Sequence, residues 1–133
     1  MAAVRGTDLA TMARDALDAF GGAGAIVHEG ETVFIKPNFG AFGMVKYNPV
    51  ERGDCTKPEI VIAVAEECLK AGAKEVIIGD AGQSKRYDWG QVYTLDGTTT
   101  MAAEAARLAS QYSGKITLAC LTADSPGWTP VHS

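Results

Sequence analysis

Apolar positions along the chain follow two alternating periods. Leu9, Met12, Ala13, Ala16, Leu17 and Phe20 recur at spacings of three and four, which predicts one face of a helix from Asp8 to Phe20. Thr7 or Asp8 supplies its cap and Gly21-Gly22 its stop. After a linker over 23–30, Thr32–Pro37 is a run of β-branched and aromatic residues ended by proline. This predicts a buried strand with Lys36 and Asn38 at its carboxyl end. A long loop with several glycines, 39–55, leads to Thr56-Lys-Pro-Glu59. That spacing predicts a capping box, the Thr56 hydroxyl and Glu59 carboxylate taking up backbone amides of a helix that runs to Ala71. Ile60, Val61, Val64, Ala65, Cys68 and Leu69 form its predicted buried face. Glu66, Glu67 and Lys70 point outward, and Gly72 is the left-handed stop.

Glu75–Asp80 repeats the short apolar strand pattern, so strand, helix and strand make a right-handed crossover with a parallel pair. A second long connection, 81–97, is followed by a helix over 99–112 with Met101, Ala105, Leu108, Ala109 and Tyr112 on one side. A third strand over 115–121 and a turn at Asp124-Ser-Pro-Gly127 complete the pattern. The fold class is α/β: a three-layer, mostly parallel sheet, half of a Rossmann-like doubly wound domain, with three loops delivered to one sheet edge. The chain, 1–133, reads as a single domain cut at both ends, a fragment of a larger one. Strands apolar on both faces call for further strands or a partner, so self-association or the missing remainder of the same chain is expected.

Composition narrows the function classes. The 133 residues carry a net charge of −4, with 47% hydrophobic and 21% charged content. A nucleic-acid partner, which needs clustered excess cations, is not expected. No run approaches the roughly 18 apolar residues of a membrane helix, and no membrane partner is expected. Three cysteines, Cys55, Cys68 and Cys120, without any C-x-x-C pair, predict neither a disulfide framework nor a closed metal site. A reducing, cytoplasmic compartment is the expectation.

Motifs for common chemistries are missing. Neither G-x-G-x-x-G nor G-x-x-x-x-G-K-[ST] occurs, and Gly79-Asp-Ala-Gly82-Gln-Ser84 lacks the glycine pattern that admits a pyrophosphate. There is no G-x-S-x-G, and the two histidines, His28 and His132, lie away from predicted strand ends; His28 reads as a solvent-facing loop residue. Asp54, Asp80 and Asp124 at neighbouring loop mouths could hold a hard cation, though acidic loop residues are common and no metal site is assigned.

The coherent constellation is cationic. Lys36 and Asn38 end the first strand, and the Thr56 helix start presents free amides and a partial positive charge. Lys46, Arg52, Lys85 and Arg86 come from the overlying loops. With Cys55, Asp80 and Ser84 nearby, these groups suit a carboxylate or phosphate on a small ligand. The competing reading pairs Lys36 with Asp80 and leaves the loop cations in solvent. Cys55, beside the helix start and Lys57, is placed where a thiol could be activated, but no base accompanies it.

Val4-Arg-Gly6, Ala16-Leu-Asp-Ala-Phe-Gly-Gly22, Val33-Phe-Ile-Lys-Pro-Asn38, Thr56-Lys-Pro-Glu59 and Ala71-Gly-Ala-Lys-Glu-Val-Ile-Ile-Gly-Asp80 together resemble the amino-terminal half of the domain-of-unknown-function family DUF362, over 4–80, with a looser likeness beyond. The resemblance implies an α/β domain, often accompanied elsewhere in the chain by a ferredoxin-like pair of [4Fe–4S] motifs. No such cysteine run is present here, and Ala81-Gly-Gln-Ser84 replaces the family's Ser/Pro/Gly turn. No cofactor is therefore expected in this chain, an iron–sulfur cluster entering only if a missing domain supplies it. The expected function is binding of a small anionic molecule at the sheet's carboxyl edge. The alternatives are an accessory role beside an absent cluster domain, or a structural fragment without its own ligand. The sequence does not dictate a reaction.

Overall fold

The apolar strand runs assemble side by side. In the computed structural model, which describes residues 3–39, 55–81 and 88–121, β1 (Thr32–Ile35), β2 (Glu75–Asp80) and β3 (Lys115–Cys120) form an all-parallel sheet in the order β1-β2-β3. Ile35 pairs with Ile78, and Asp80 with Cys120. Three helices accompany the sheet: α1 (Leu9–Asp18), α2 (Pro58–Lys70) and α3 (Met101–Gln111). Side chains alternate across a strand, so Val76 and Ile78 share one face. That face meets Val61, Ala65, Cys68 and Leu69 of α2 and Met101 and Leu108 of α3 in a single core. Among the described residues the layers run from the sheet to α2 and α3, and then to α1, which packs on α2 rather than on the sheet. The expected α/β parallel architecture is the one observed.

Local chemistry explains the helix ends and corrects several expectations. Asp8 caps α1 by accepting the Thr11 amide at 2.7 Å. The helix closes two residues earlier than its apolar spacing suggested, and Gly21 and Gly22 take positive φ of 94° and 77°. Phe20 therefore leaves the helical face and is 63% exposed. Thr56 and Glu59 do not form a capping box. The N-cap of α2 is Lys57, with no side-chain cap bond, and Pro58 in the first turn has no amide to satisfy. The buried face of α2 is also wider than predicted, because Ile62 and Ala63 are covered as well as Val61, Ala65, Cys68 and Leu69. An α2 packed between the sheet and α1 has two faces to bury. Gly72, at φ 96°, is the left-handed stop as expected. Thr100 caps α3 through the Ala103 amide; Met101 and Leu108 are buried, whereas Ala109, assigned to the same face, is exposed.

Candidate functional site

The carboxyl edge of the sheet is built from the ends of β1 and β2 and the start of α2. Asp80, the last residue of β2, is buried, and a carboxylate there needs partners. Its partners include three among the described residues: Lys36 Nζ lies 2.9 Å from Oδ1, the Ala81 amide donates to Oδ1 at 2.8 Å, and the Phe39 amide donates to Oδ2 at 2.6 Å. Burial pushes the Asp80 carboxyl up, but the Lys36 ammonium and the two amides together hold it below the ordinary aspartate value. Lys36 also reaches the Pro37 carbonyl at 3.3 Å, and its side chain remains 59% exposed. The pairing of Lys36 with Asp80, the competing sequence reading, is present, and the Lys36 side chain stays largely exposed.

Asn38 and Thr56 meet across the loop that separates them. The Asn38 amide donates to Thr56 Oγ1 at 2.9 Å, and the Thr56 amide donates to the Asn38 carbonyl at 3.0 Å. The strand end and the helix approach are thus locked together. The amide and hydroxyl of Thr56 face Asn38 in this lock, so Thr56 contributes a joint where a capping group was expected. Cys55, immediately before it, is buried, whereas an activated thiol is ordinarily partly exposed. Ser84, Lys85, Lys46, Arg52, Arg86, Asp54, Asp124 and His132 lie outside the described residues. His28 is exposed as expected, its amide donating to Glu31 at 2.8 Å.

Sequence reasoning missed two features. Lys57 carries an ammonium that is buried with no hydrogen-bond partner among the described residues. Its place beside Thr56 was visible, but its burial depends on tertiary packing. The second is an ionic web where α1, α2 and α3 meet. Arg14 Nη2 lies 3.0 Å from Glu66, Arg14 Nε 3.3 Å from Glu67, and the Tyr112 hydroxyl donates to Glu66 at 3.0 Å. Burial pushes the Glu66 carboxyl up, and the Tyr112 hydroxyl and Arg14, with Lys70 and Arg107, bring it below its usual value. The glutamates assigned to solvent thus bind the helices together.

A [4Fe–4S] cluster takes four thiolates, and the chain has three cysteines, Cys55, Cys68 and Cys120, all buried. Burial also raises the Cys68 thiol, opposing the thiolate a metal needs. Among the described residues no group of three or more His, Cys, Asp or Glu side chains is arranged to hold a metal. These residues do not fit such a cluster.

The model of the family described as Domain of unknown function (DUF362) matches residues 33–118. The match begins in β1 and continues into β3, so α1, which carried part of the resemblance, lies outside it, and α3 lies inside. No curated protein and no solved structure matches the chain.

Proposed function

The chain belongs to the DUF362 family, and from that membership and the geometry of its sheet edge we propose that it binds a small anionic ligand, a carboxylate or a phosphate, at the carboxyl end of the sheet. The observation that carries the reading is Lys36: an ammonium fixed in place by Asp80 while its side chain stays 59% exposed, next to the Asn38–Thr56 lock. A second observation supports it, since the Lys57 ammonium is buried without a hydrogen-bond partner among the described residues and a buried cation is costly without an anion. In this reading Lys36 contacts the ligand, Asp80 positions Lys36, and Asn38, Cys55 and Thr56 shape the rim. Ser84 and Lys85 join the proposal through their position in the chain after β2. Neither the cluster-accessory role nor a ligand-free structural role has a comparable observation behind it.

The test is thermal unfolding of the parent and Lys36→Met across inorganic phosphate, acetate and citrate. Ligand binding to the folded state alone raises the midpoint with concentration. The parent is expected to rise with at least one anion, and Lys36→Met to rise much less. A parent midpoint indifferent to all three ends the proposal. The same reading includes a protein partner, a second copy or more of the same chain, along the sheet. Phe34 and Leu121, 49% and 36% exposed, are the hydrophobic surface it would cover, and a clean monomer by light scattering would remove that part.

A further inference from the structure

The turn that precedes α3 carries a reactive pair that the sheet edge does not use. Asp96-Gly97 is the one Asp-Gly pair in the sequence, and no Asn-Gly pair occurs. It stands at the tip of a small hairpin: Tyr93 and Thr100 form an antiparallel bridge, and the Met101 amide donates to the Val92 carbonyl at 2.9 Å. Leu95, Asp96, Gly97 and Thr98 are all exposed, so water reaches the pair. An aspartate followed by glycine is open to attack on its own side chain, because no Cβ crowds the nitrogen that follows it. In that reaction the Gly97 nitrogen bonds to Asp96 Cγ while the Cγ–OH bond breaks, and the hydroxyl leaves as water with the nitrogen's proton. Water then opens the ring at the Asp96 backbone carbonyl, and the main chain now runs through Cγ. The net change is an isomerisation that consumes nothing.

Both reacting groups are held elsewhere in the closed turn. Asp96 Oδ1 accepts the Thr94 hydroxyl at 2.6 Å, the Thr98 hydroxyl at 2.9 Å and the Thr98 amide at 3.0 Å. The Gly97 amide donates to the Thr94 carbonyl at 2.9 Å. Thr94 is the anchor for both: it is 4% exposed, and its own amide donates to the Thr99 carbonyl at 3.0 Å. Ring closure has to swing Cγ onto the nitrogen and so has to break these bonds. The Thr94 hydroxyl, with the Thr98 amide and hydroxyl, also holds the Asp96 carboxyl below its usual value and keeps it a carboxylate, which is a poorer electrophile than the acid.

We propose that Asp96-Gly97 is a site of backbone isomerisation to isoaspartate, held back by the closed turn and released when the turn opens. The change reaches beyond the tip, since it adds one carbon to the main chain and takes one from the side chain that Thr94 and Thr98 hold. The Leu95 amide donates to Glu59 in the first turn of α2, and Thr100 caps α3, so an altered turn loosens the link between those two helices. The site is separate from the sheet edge and stands or falls independently of the anion reading.

The test is incubation of the full chain, folded and in urea, with isoaspartate at position 96 counted by peptide mapping and by enzymatic carboxyl methylation. Chemistry that needs an opened segment runs at the unfolded rate scaled by the open fraction, so the folded parent is expected to react at least about tenfold more slowly than the unfolded chain. Thr94→Val and Thr98→Val, which remove hydroxyls from Asp96, are expected to speed the folded reaction several-fold and leave the rate in urea unchanged. Thr98 is exposed, so Thr98→Val decides the matter if Thr94→Val fails to fold. The isomerised fraction is expected to show faster hydrogen exchange at Leu95. The proposal is overturned if no isoaspartate forms at position 96 in urea, if the folded parent reacts as fast as the unfolded chain, or if Thr98→Val leaves the folded rate unchanged. A folded rate that rises only in step with hydrogen exchange of β2 reports global unfolding and overturns it too.

Discussion

Asp80 shows how much one buried residue does at this sheet edge: its two oxygens receive Lys36, the Ala81 amide and the Phe39 amide. Asparagine in its place keeps one acceptor oxygen and turns an NH₂ toward a donor. Asp80→Asn is therefore expected to lose about 1.5–3 kcal/mol at neutral pH by urea unfolding, the range for hydrogen bonds to a charged group. The folded carboxyl lies below the ordinary value, so its contribution is complete above the unfolded aspartate pKa of about 3.9 and fades as pH falls through the folded one. The gap between parent and variant should close in acid; a gap that persists there would mean that shape, not charge, is being measured. Gly114 gives a purely steric counterpart. A Cβ at this position would press on the Ala73 carbonyl oxygen and lie 2.6 Å from Leu69 Cδ2. Gly114→Ala is expected to cost about 1–3 kcal/mol, as overpacking does, at all pH values. A variant as stable as the parent would show that the β3 entry can yield.

At the scale of elements, what was legible in the chain was whatever depended on near neighbours. The apolar runs of β1, β2 and β3, the threefold and fourfold spacing in α2, and Gly72 as a stop all follow from local rules. What was not legible depended on distant partners. The Thr56 and Glu59 spacing imitates a capping box, yet the Thr56 hydroxyl accepts the Asn38 amide and Glu59 accepts the Leu95 amide, both far along the chain. Ile62 and Ala63 look solvent-facing until α1 is laid over them, and Glu66 and Glu67 look solvated until Arg14 arrives. The site followed the same rule: a strand end carrying Lys36 could be read from local sequence, but its exposure and the burial of Lys57 could not. A substitution separates the two accounts of Thr56. Thr56→Val removes the oxygen that the Asn38 amide uses, leaving α2 with the cap geometry it already has. The expected result is a loss of about 1 kcal/mol, with faster hydrogen exchange at Asn38 and unchanged exchange in the first turn of α2. Faster exchange in that first turn would restore the capping role.

At the scale of the molecule, the carboxylates that shift among the described residues all shift downward. Asp8 is held low by the Thr11 amide, Glu31 by the His28 amide, Glu75 by Lys115 and Asp96 by the Thr94 hydroxyl. Those four are surface groups, and charges in water contribute little. Glu66 and Asp80 differ because burial opposes their ionised form and specific donors overcome it, one tying α1 and α3 to α2 and the other tying β1 to β2. Both shifts are downward, so both contributions exist above the unfolded carboxyl values and disappear as pH falls through the folded ones. The thermal midpoint should therefore be nearly flat above about pH 5 and fall steeply below it. The Glu66→Gln, Asp80→Asn double variant should begin from a lower midpoint and lose much less between about pH 6 and pH 3. Added salt should change the parent's acid limb only modestly, because partly buried pairs are weakly screened. If the double variant falls as steeply as the parent, acid sensitivity resides in the surface carboxylates, and the two buried links do not hold the helical layers and the sheet edge together.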